Sequence, residues 1–189
     1  MGNQMEMPDA EELTQEYEVR GFGVRLTNTR PDIDSRDVLD RLAGALDLIA
    51  LHAPRRFGRL RQDIQSFVVR RFPCRGAFFP QTGECLVELT FTVNPRHTLA
   101  EIAASIVHEA THARIATRFG PLPQSCRARE ERLCRQAELE FGLAVPEGAT
   151  VIERARQALS MADRDVAPLV DWTEGARRVA QADADGDLG

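Results

Sequence analysis

The chain has 189 residues, with 24 basic and 29 acidic side chains and 43% hydrophobic residues, which fits one compact domain and argues against a two-domain enzyme. A formal net charge of −5 lacks the basic footprint of a nucleic-acid-binding domain. No stretch approaches the roughly 20 apolar residues that a membrane-spanning helix requires, and the acidic N-terminus lacks the apolar segment of a secretory signal.

The first third of the chain predicts a strand and a helix. Residues 1–16 are acidic and poor in apolar side chains, which indicates a disordered N-terminus. Residues 17–26 alternate between apolar and polar side chains and predict one strand. Ser35 is expected to cap a helix that Pro54 ends. The apolar stripe of this helix consists of Leu39, Leu42, Leu46 and Ile49.

The middle of the chain is rich in β-forming residues. Residues 63–72 predict a strand. Residues 76–79 and 84–93 flank a Gln-Thr-Gly turn and predict a hairpin whose second strand is long. The pattern becomes helical after Pro95.

Three helices and a short fourth one are predicted in the second half. Residues 100–119 and 125–141 form two of them, separated by a Gly-Pro-Leu-Pro sequence, and residues 151–161 form the third. Asp171 and Glu174 form the capping box of a short last helix.

Strands followed by helices indicate an α+β fold, in which a small, largely antiparallel sheet packs on the helices. Residues 17–162 are expected to form this domain. Residues 163–189 are expected to form the short helix and an acidic disordered tail, which begins at residue 182.

A His-Glu-x-x-His sequence occupies positions 108–112 of the first of these helices, with Glu109 beside the first histidine. Histidines four residues apart lie on one face of a helix, where both imidazoles can bind one metal ion and the glutamate can reach its water. Thr98 and Glu101 form a capping box that starts the helix ahead of the motif. Since the apolar stripe is complete without His108 and His112, the pattern favours metal binding over a structural role.

The third metal ligand is expected on the next helix, because a catalytic zinc site takes three protein ligands and one water. Antiparallel packing across the Gly-Pro turn would bring Glu131 level with His112. Glu130, about 100° away around the helix, is the less favoured choice. An ordinary ion pair between Glu131 and Arg135 is the alternative interpretation. Glu138 is either a surface charge or an acceptor that orients a metal-binding histidine.

The His-Glu-x-x-His sequence, 18 further residues and Glu131 together resemble the gluzincin class of zinc metallopeptidases, which includes thermolysin and the zinc aminopeptidases. The similarity covers residues 86–141. It implies a minimal zincin-like domain that binds one Zn²⁺ through His108, His112 and Glu131. It also implies a hydrolase that cleaves peptide or protein substrates with Glu109 as general base.

The resemblance also implies a strand ahead of the motif helix that forms the rim of the cleft. Residues 85–92 are expected to be this strand and to pair as an edge strand with extended substrate. A typical gluzincin stabilises the oxyanion with a tyrosine or histidine, but the only tyrosine here is Tyr17, far upstream. His97 or an arginine is the expected substitute.

Two other functions remain open. A non-catalytic zinc-containing binding or regulatory module would use the same helix structurally. A nucleic-acid binder would use a cluster of arginines, although such clusters are more often solvated or paired with carboxylates. The cluster comprises Arg55, Arg56, Arg59, Arg61, Arg70 and Arg71.

Four cysteines are expected to be reduced in a cytoplasmic protein, because a chain of this length can bury a core without disulfides. Cys74 and Cys85 lack the spacing of a metal site and are expected to be structural. Cys126 and Cys134 flank Glu131. Cys134 is expected to belong to the core, on a stripe with Leu133, Ala137 and Phe141, and not to bind metal.

Overall fold

The computed structural model describes residues 13–120, 122–168 and 171–186. These residues form five strands and eight α-helices, which confirms the α+β class. The strands are β1 (Thr14–Val19), β2 (Phe22–Thr27), β3 (Ser66–Arg70), β4 (Gly76–Phe79) and β5 (Glu84–Glu88). The helices are α1 (Ser35–His52), α2 (Pro54–Asp63), α3 (Leu89–Val93), α4 (Leu99–Phe119), α5 (Arg127–Ala144), α6 (Ala149–Ser160), α7 (Asp163–Val166) and α8 (Trp172–Asp185).

The sheet is mixed, whereas a largely antiparallel one was expected from the sequence. Its order is β1-β2-β3-β5-β4, with antiparallel pairs at both ends and parallel pairs in the middle. The β2–β3 pair is parallel because α1 and α2 return the chain to the same end of the sheet, as a helical crossover does. The three middle residues of β3 and the last four residues of β5 are buried, as is typical of strands covered on both faces.

The segment predicted as a single strand at residues 17–26 is a hairpin instead. Arg20 and Gly21 have φ values of 53° and 78°, which form the tight turn between β1 and β2. β1 already begins at Thr14, so the expected disordered N-terminus is wrong for residues 14–16, and residues 1–12 lie outside the described part. The alternation itself is confirmed, because Phe22, Val24 and Leu26 are all buried.

The strand predicted over residues 84–93 is also too long. Glu88 ends β5 and caps α3, its side chain accepting a hydrogen bond of 2.6 Å from the backbone N–H of Phe91. The expectation that residues 85–92 form an edge strand is wrong, because β5 lies between β3 and β4. β4 takes the edge position, since it folds back onto the outer side of β5 as its hairpin partner.

The helix predicted from Ser35 is present, with small differences at its start. Asp34 is the capping residue, and its carboxylate accepts a hydrogen bond from the backbone N–H of Arg36. Val38 is fully buried, whereas Leu39 is only partly buried. Pro54 does more than end α1, because it occupies the first turn of α2, which the sequence did not reveal.

The predicted capping box of α4 is confirmed. Thr98 accepts a hydrogen bond from the Glu101 N–H, and the Glu101 carboxylate accepts one from the Thr98 N–H. α4 packs against α1, α5 and the sheet strands β4 and β5, and its residues from Ala100 to Glu109 are all buried. The motif helix therefore runs through the middle of the molecule.

The C-terminal residues that the structure describes, 163–168 and 171–186, contain α7 and α8. The predicted cap at Asp171 is confirmed, since its carboxylate accepts a hydrogen bond from the Glu174 N–H, but α8 extends to Asp185. Disorder from residue 182 is therefore wrong for residues 182–185, and residues 187–189 lie outside the described part. Asp183 anchors α8 to the body through Arg30 at 3.2 Å and Arg71 at 2.8 Å. None of the described helices is long and apolar enough to cross a membrane.

Candidate metal centre

The two helices that carry the predicted metal ligands pack side by side in opposite directions. His112 contacts Glu130 near the start of α5, whereas His108, one turn earlier on α4, contacts Glu138 two turns further along α5. The antiparallel packing expected from the Gly-Pro turn is therefore present. Gly120 ends α4 with a φ of 70°, a conformation that favours glycine.

Each imidazole contacts a carboxylate through its Nδ1 atom. His108 Nδ1 lies 2.8 Å from Glu138 Oε1, and His112 Nδ1 lies 2.8 Å from Glu130 Oε1. Glu138 is 1% exposed, so the surface-charge alternative is wrong and the orienting role fits. The matching role of Glu130 was not foreseen. Hydrogen bonds of this kind fix the ring and leave its Nε2 free to bind a metal ion.

The opposite nitrogens of both rings face the carboxylate of Glu131. The Nε2 atoms of His108 and His112 lie 3.2 Å apart, and they lie 3.3 Å and 3.5 Å from the nearest Glu131 oxygens. The proposed ion pair of Glu131 with Arg135 is not formed, since Arg135 binds Glu138 at 2.8 Å. Glu130 lies on the Nδ1 side of His112, so its carboxylate faces away from this point of convergence.

A thiol lies next to the same imidazoles. His108, His112 and Cys134 form a largely buried group that could hold a metal ion, with donor atoms within 4.8 Å of one another. Cys134 is fully buried, as predicted, but Leu133 is half exposed and does not share its stripe. Burial raises the pKa of the Cys134 thiol to about 11, and His112 offsets only part of this effect.

Charge in this group is strongly coupled. Burial lowers the pKa of the His108 imidazole, but the hydrogen bonds to Glu131 and Glu138 outweigh burial and raise it above its ordinary value. Burial likewise raises the pKa of Glu131, but the two histidines hold it well below its usual range. The carboxylates around the two imidazoles thus create a site that favours positive charge.

Glu109 lies at the wall of a cleft of about 700 Å³ that also contains both histidines and Glu131. Burial raises the pKa of its carboxyl, and the adjacent histidines partly oppose the shift. Gly76 on β4 lies directly against it: a Cβ added to Gly76 would be 3.1 Å from Glu109 Oε1 and 3.0 Å from Ser105 Oγ. The absence of a side chain at Gly76 therefore lets the edge strand approach the carboxylate.

Of the two predicted substitutes for an oxyanion-stabilising tyrosine, His97 and an arginine, the arginines are the ones that line this cleft. His97 lines a different cavity, of about 260 Å³. Tyr17 lies on β1, at the opposite edge of the sheet from β4. The cleft wall instead contains a set of arginines, Arg75, Arg127, Arg135 and Arg154.

The four cysteines and the arginines at positions 55–71 lie in different surroundings. None of the four cysteines forms a disulfide. Cys85 is fully buried in β5, as expected of a structural thiol, whereas Cys74 is partly exposed and lines the cleft. The arginines at positions 55–71, which were the candidate nucleic-acid surface, do not form one free surface. Arg71 is paired with Glu88 and Asp183, and Arg56 is paired with Glu140.

Replacing Glu138 with glutamine should weaken metal binding about 10- to 100-fold, the usual effect of removing a carboxylate that supports a metal-binding histidine. Glu140→Gln is the matched control, because Glu140 is on the same helix and exposed, and it pairs with Arg56. Competition with a chromophoric chelator measures both affinities. Equal affinities for the two variants would contradict the supporting role.

The donor set fits a divalent ion, since imidazole and carboxylate groups, with a thiol beside them, are the ligands that zinc takes in proteins. Its charge also fits, because the carboxylates of Glu109, Glu130, Glu131 and Glu138 outnumber the two imidazoles. No family model matches the chain, and no curated protein or solved structure is significantly similar to it.

Proposed function

We propose that the protein is a zinc-dependent peptidase of the gluzincin type. The observation that carries the proposal is the convergence of His108 Nε2, His112 Nε2 and the Glu131 carboxylate, with Glu109 beside them on an accessible cleft. A structural metal site needs only the ligands. A carboxylate next to the ligands and facing a cleft is what hydrolysis requires.

His108, His112 and Glu131 are the proposed ligands of one zinc ion per chain. The Nδ1 contacts with Glu138 and Glu130 orient both rings for this role. An ion held there would supply polarisation of the scissile carbonyl and a lower pKa for the attacking water.

Glu109 is the proposed general base. Its carboxylate accepts a proton from a water in the cleft as that water attacks the peptide carbonyl carbon, and then transfers the proton to the leaving amine as the C–N bond breaks. Burial suits the task, because a carboxyl with a raised pKa holds the proton more tightly between the two steps. Gly76 keeps the backbone of β4 close to this carboxylate. The reacting peptide bond must also lie close to the carboxylate, so a peptide beside β4 would be near the base.

β4 is the proposed rim for the extended substrate, in place of residues 85–92. Among the described strands it is the edge strand nearest to α4, and Gly76, Ala77 and Phe78 line the cleft. A peptide can add to such an edge through backbone hydrogen bonds. The four residues of β4 offer a short template, which fits a shallow cleft in a small domain.

Cys134 supports one alternative function. If its thiol joined both histidines and Glu131, the ion would have four protein ligands, as in a closed structural site. The protein would then be a non-catalytic zinc-containing binding or regulatory module. The position of Glu109 at the wall of the cleft favours the peptidase, because a closed site has no use for a base.

Peptide cleavage by zinc-loaded protein tests the proposal. The protein is purified without added metal, its zinc content is measured, and a diverse peptide pool is incubated with it and analysed by mass spectrometry. We expect about one zinc per chain and cleavage that a chelator abolishes and added zinc restores. Full zinc content without cleavage of any peptide would favour the closed-site alternative.

A further inference from the structure

Three arginines form a cationic cluster beside the metal centre. Arg75, Arg135 and Arg154 come from three different parts of the chain and line the same cleft as Glu109. Their side chains are 45%, 27% and 27% exposed, so each side chain is partly accessible, although Arg135 Nε and the Nε and Nη1 atoms of Arg154 are buried. We call these residues the arginine cluster.

The carboxylates that face the arginine cluster are largely engaged elsewhere. Glu101 accepts a hydrogen bond from the Thr98 N–H and lies 3.2 Å from His97 Nδ1. Arg75 and Arg154 each approach Glu101 Oε1 only to 3.8 Å, which is too long for a hydrogen bond. These contacts are therefore weak ion pairs that leave both guanidinium groups able to bind another acceptor.

Glu138 provides hydrogen-bond partners for only some of the guanidinium donor atoms. It binds His108 and Arg135 through Oε1, and its Oε2 lies 3.9 Å from Arg154. Among the described residues, Arg135 Nε and the Nε and Nη1 atoms of Arg154 have no hydrogen-bond partner. The cluster thus has three guanidinium donor atoms without a hydrogen-bond partner, whereas Glu138 offers only one acceptor atom without a partner, Oε2.

The charges of the arginine cluster and of the carboxylates that face it also favour the binding of an anion. Three guanidinium groups face two carboxylates, Glu101 and Glu138, which leaves an excess of about one positive charge. Burial lowers the pKa of Arg75, and repulsion from Arg154 and Arg135 lowers it further, while attraction to Glu101 and Glu138 opposes the shift. One added anion beside the exposed parts of these side chains would relieve this repulsion. A carboxylate carries the single charge that the excess requires, and it pairs well with the planar guanidinium fork.

We propose that the arginine cluster binds a carboxylate group of the peptide, so that the enzyme acts on substrates with an acidic side chain or a free C-terminus near the scissile bond. This inference rests on the proposed function. Its position supports it, because the single carboxylate of Glu138 separates the cluster from His108. An anion bound by the cluster would therefore lie in the same cleft as the reacting bond.

Peptide binding without cleavage tests the inference separately from hydrolysis. Zinc-loaded Glu109→Gln protein is titrated calorimetrically with acetylated hexapeptides in which one position at a time is Glu or Gln. Each peptide is made with a free and with an amidated C-terminus. We expect at least one carboxylate-bearing peptide to bind about tenfold or more tightly than its neutral partner, as a charge-assisted hydrogen bond provides. The Glu/Gln pairs and the free/amidated pairs distinguish a side-chain from a C-terminal carboxylate.

The same titrations are repeated in Arg154→Met and Arg156→Met backgrounds. Arg156 is exposed on the same helix and outside the cleft, so its variant should keep the preference. Arg154→Met should lose it without weakening the binding of neutral peptides. Arg75→Met provides a second test if circular dichroism shows that Arg154→Met is unfolded.

Equal binding of every charged and neutral pair, or no binding of any peptide, would overturn the inference. If the wild-type protein cleaves peptides but shows no preference for a carboxylate, the inference fails and the peptidase function stands. If nothing is cleaved but the carboxylate preference and its loss in Arg154→Met are observed, the peptidase function fails and the arginine cluster remains a carboxylate site.

Discussion

Replacing Glu109 with glutamine should reduce peptide hydrolysis at least about 100-fold and leave the metal content unchanged, since removing a general base costs at least this factor. Glutamine is nearly isosteric and fits against Gly76, but its amide cannot accept the proton of the attacking water. Glu109 is not one of the three proposed ligands, so zinc should remain bound. Initial rates on a cleaved peptide and metal analysis of the same samples measure both quantities.

Glu140→Gln is the control for this variant, because it removes one exposed carboxylate from the neighbouring helix α5 and should keep the wild-type rate. Equal hydrolysis by the wild-type and Glu109→Gln proteins would show that the activity is contamination or uses another base. Loss of zinc from Glu109→Gln would instead show that this carboxylate holds the metal.

The second large effect is expected for the third metal ligand. Losing a residue that only supports a ligand typically weakens metal binding about 10- to 100-fold. Glu131→Gln should weaken zinc binding by more than this factor, because Glu131 faces both Nε2 atoms. Glu130→Gln should have the smaller, supporting-residue effect, since Glu130 contacts only Nδ1 of His112. His112→Ala should abolish stoichiometric zinc. Chelator competition and metal analysis provide the measurements.

Cys134→Ser completes this series and separates the two functions. If Glu131 is the third ligand of an open site, Cys134→Ser keeps stoichiometric zinc and peptide cleavage. A loss of zinc in Cys134→Ser together with full zinc in Glu131→Gln would transfer the ligand role to the thiol. A reversed order of Glu131→Gln and Glu130→Gln would transfer it to Glu130.

Much of the fold follows from local patterns. The capping residues Thr98 and Asp171 mark the starts of α4 and α8, because their side chains satisfy backbone N–H groups within the same turn. The order of the strands does not follow from such patterns. The parallel pairing of β2 with β3 depends on the path of α1 and α2, which connect the two strands, and no short stretch of sequence encodes this path.

The boundary errors have a similar origin. Arg20 adopts a positive φ, which is uncommon for a residue other than glycine, so the turn that divides residues 17–26 gives little local signal. The apolar run after Glu88 suits a strand by composition, but the Glu88 carboxylate caps the N–H of Phe91 and starts a helix. α2 was missed because its composition is dominated by arginines and only Leu60 is buried.

For the site, helical geometry predicted the placement of His108, His112 and Glu131 on facing surfaces. It also identified Glu138 as a candidate partner of a histidine. The same geometry could not foresee the role of β4, because strand order decides which edge lies beside Glu109. Nor could it predict the arginine cluster, since Arg75 and Arg154 meet only through tertiary packing.

The antiparallel pairing of α4 and α5 has a consequence for how the protein folds. All proposed ligands and their supporting carboxylates lie between residues 108 and 138, on two helices that are separated by seven residues in the sequence. Contacts this close in sequence close small loops and form quickly, whereas the β2–β3 pairing joins Gly23 to Ser66 across a crossover. On the proposed function, zinc would bind this helical hairpin, and we therefore expect the ion to stabilise the fold as well as to serve as a cofactor.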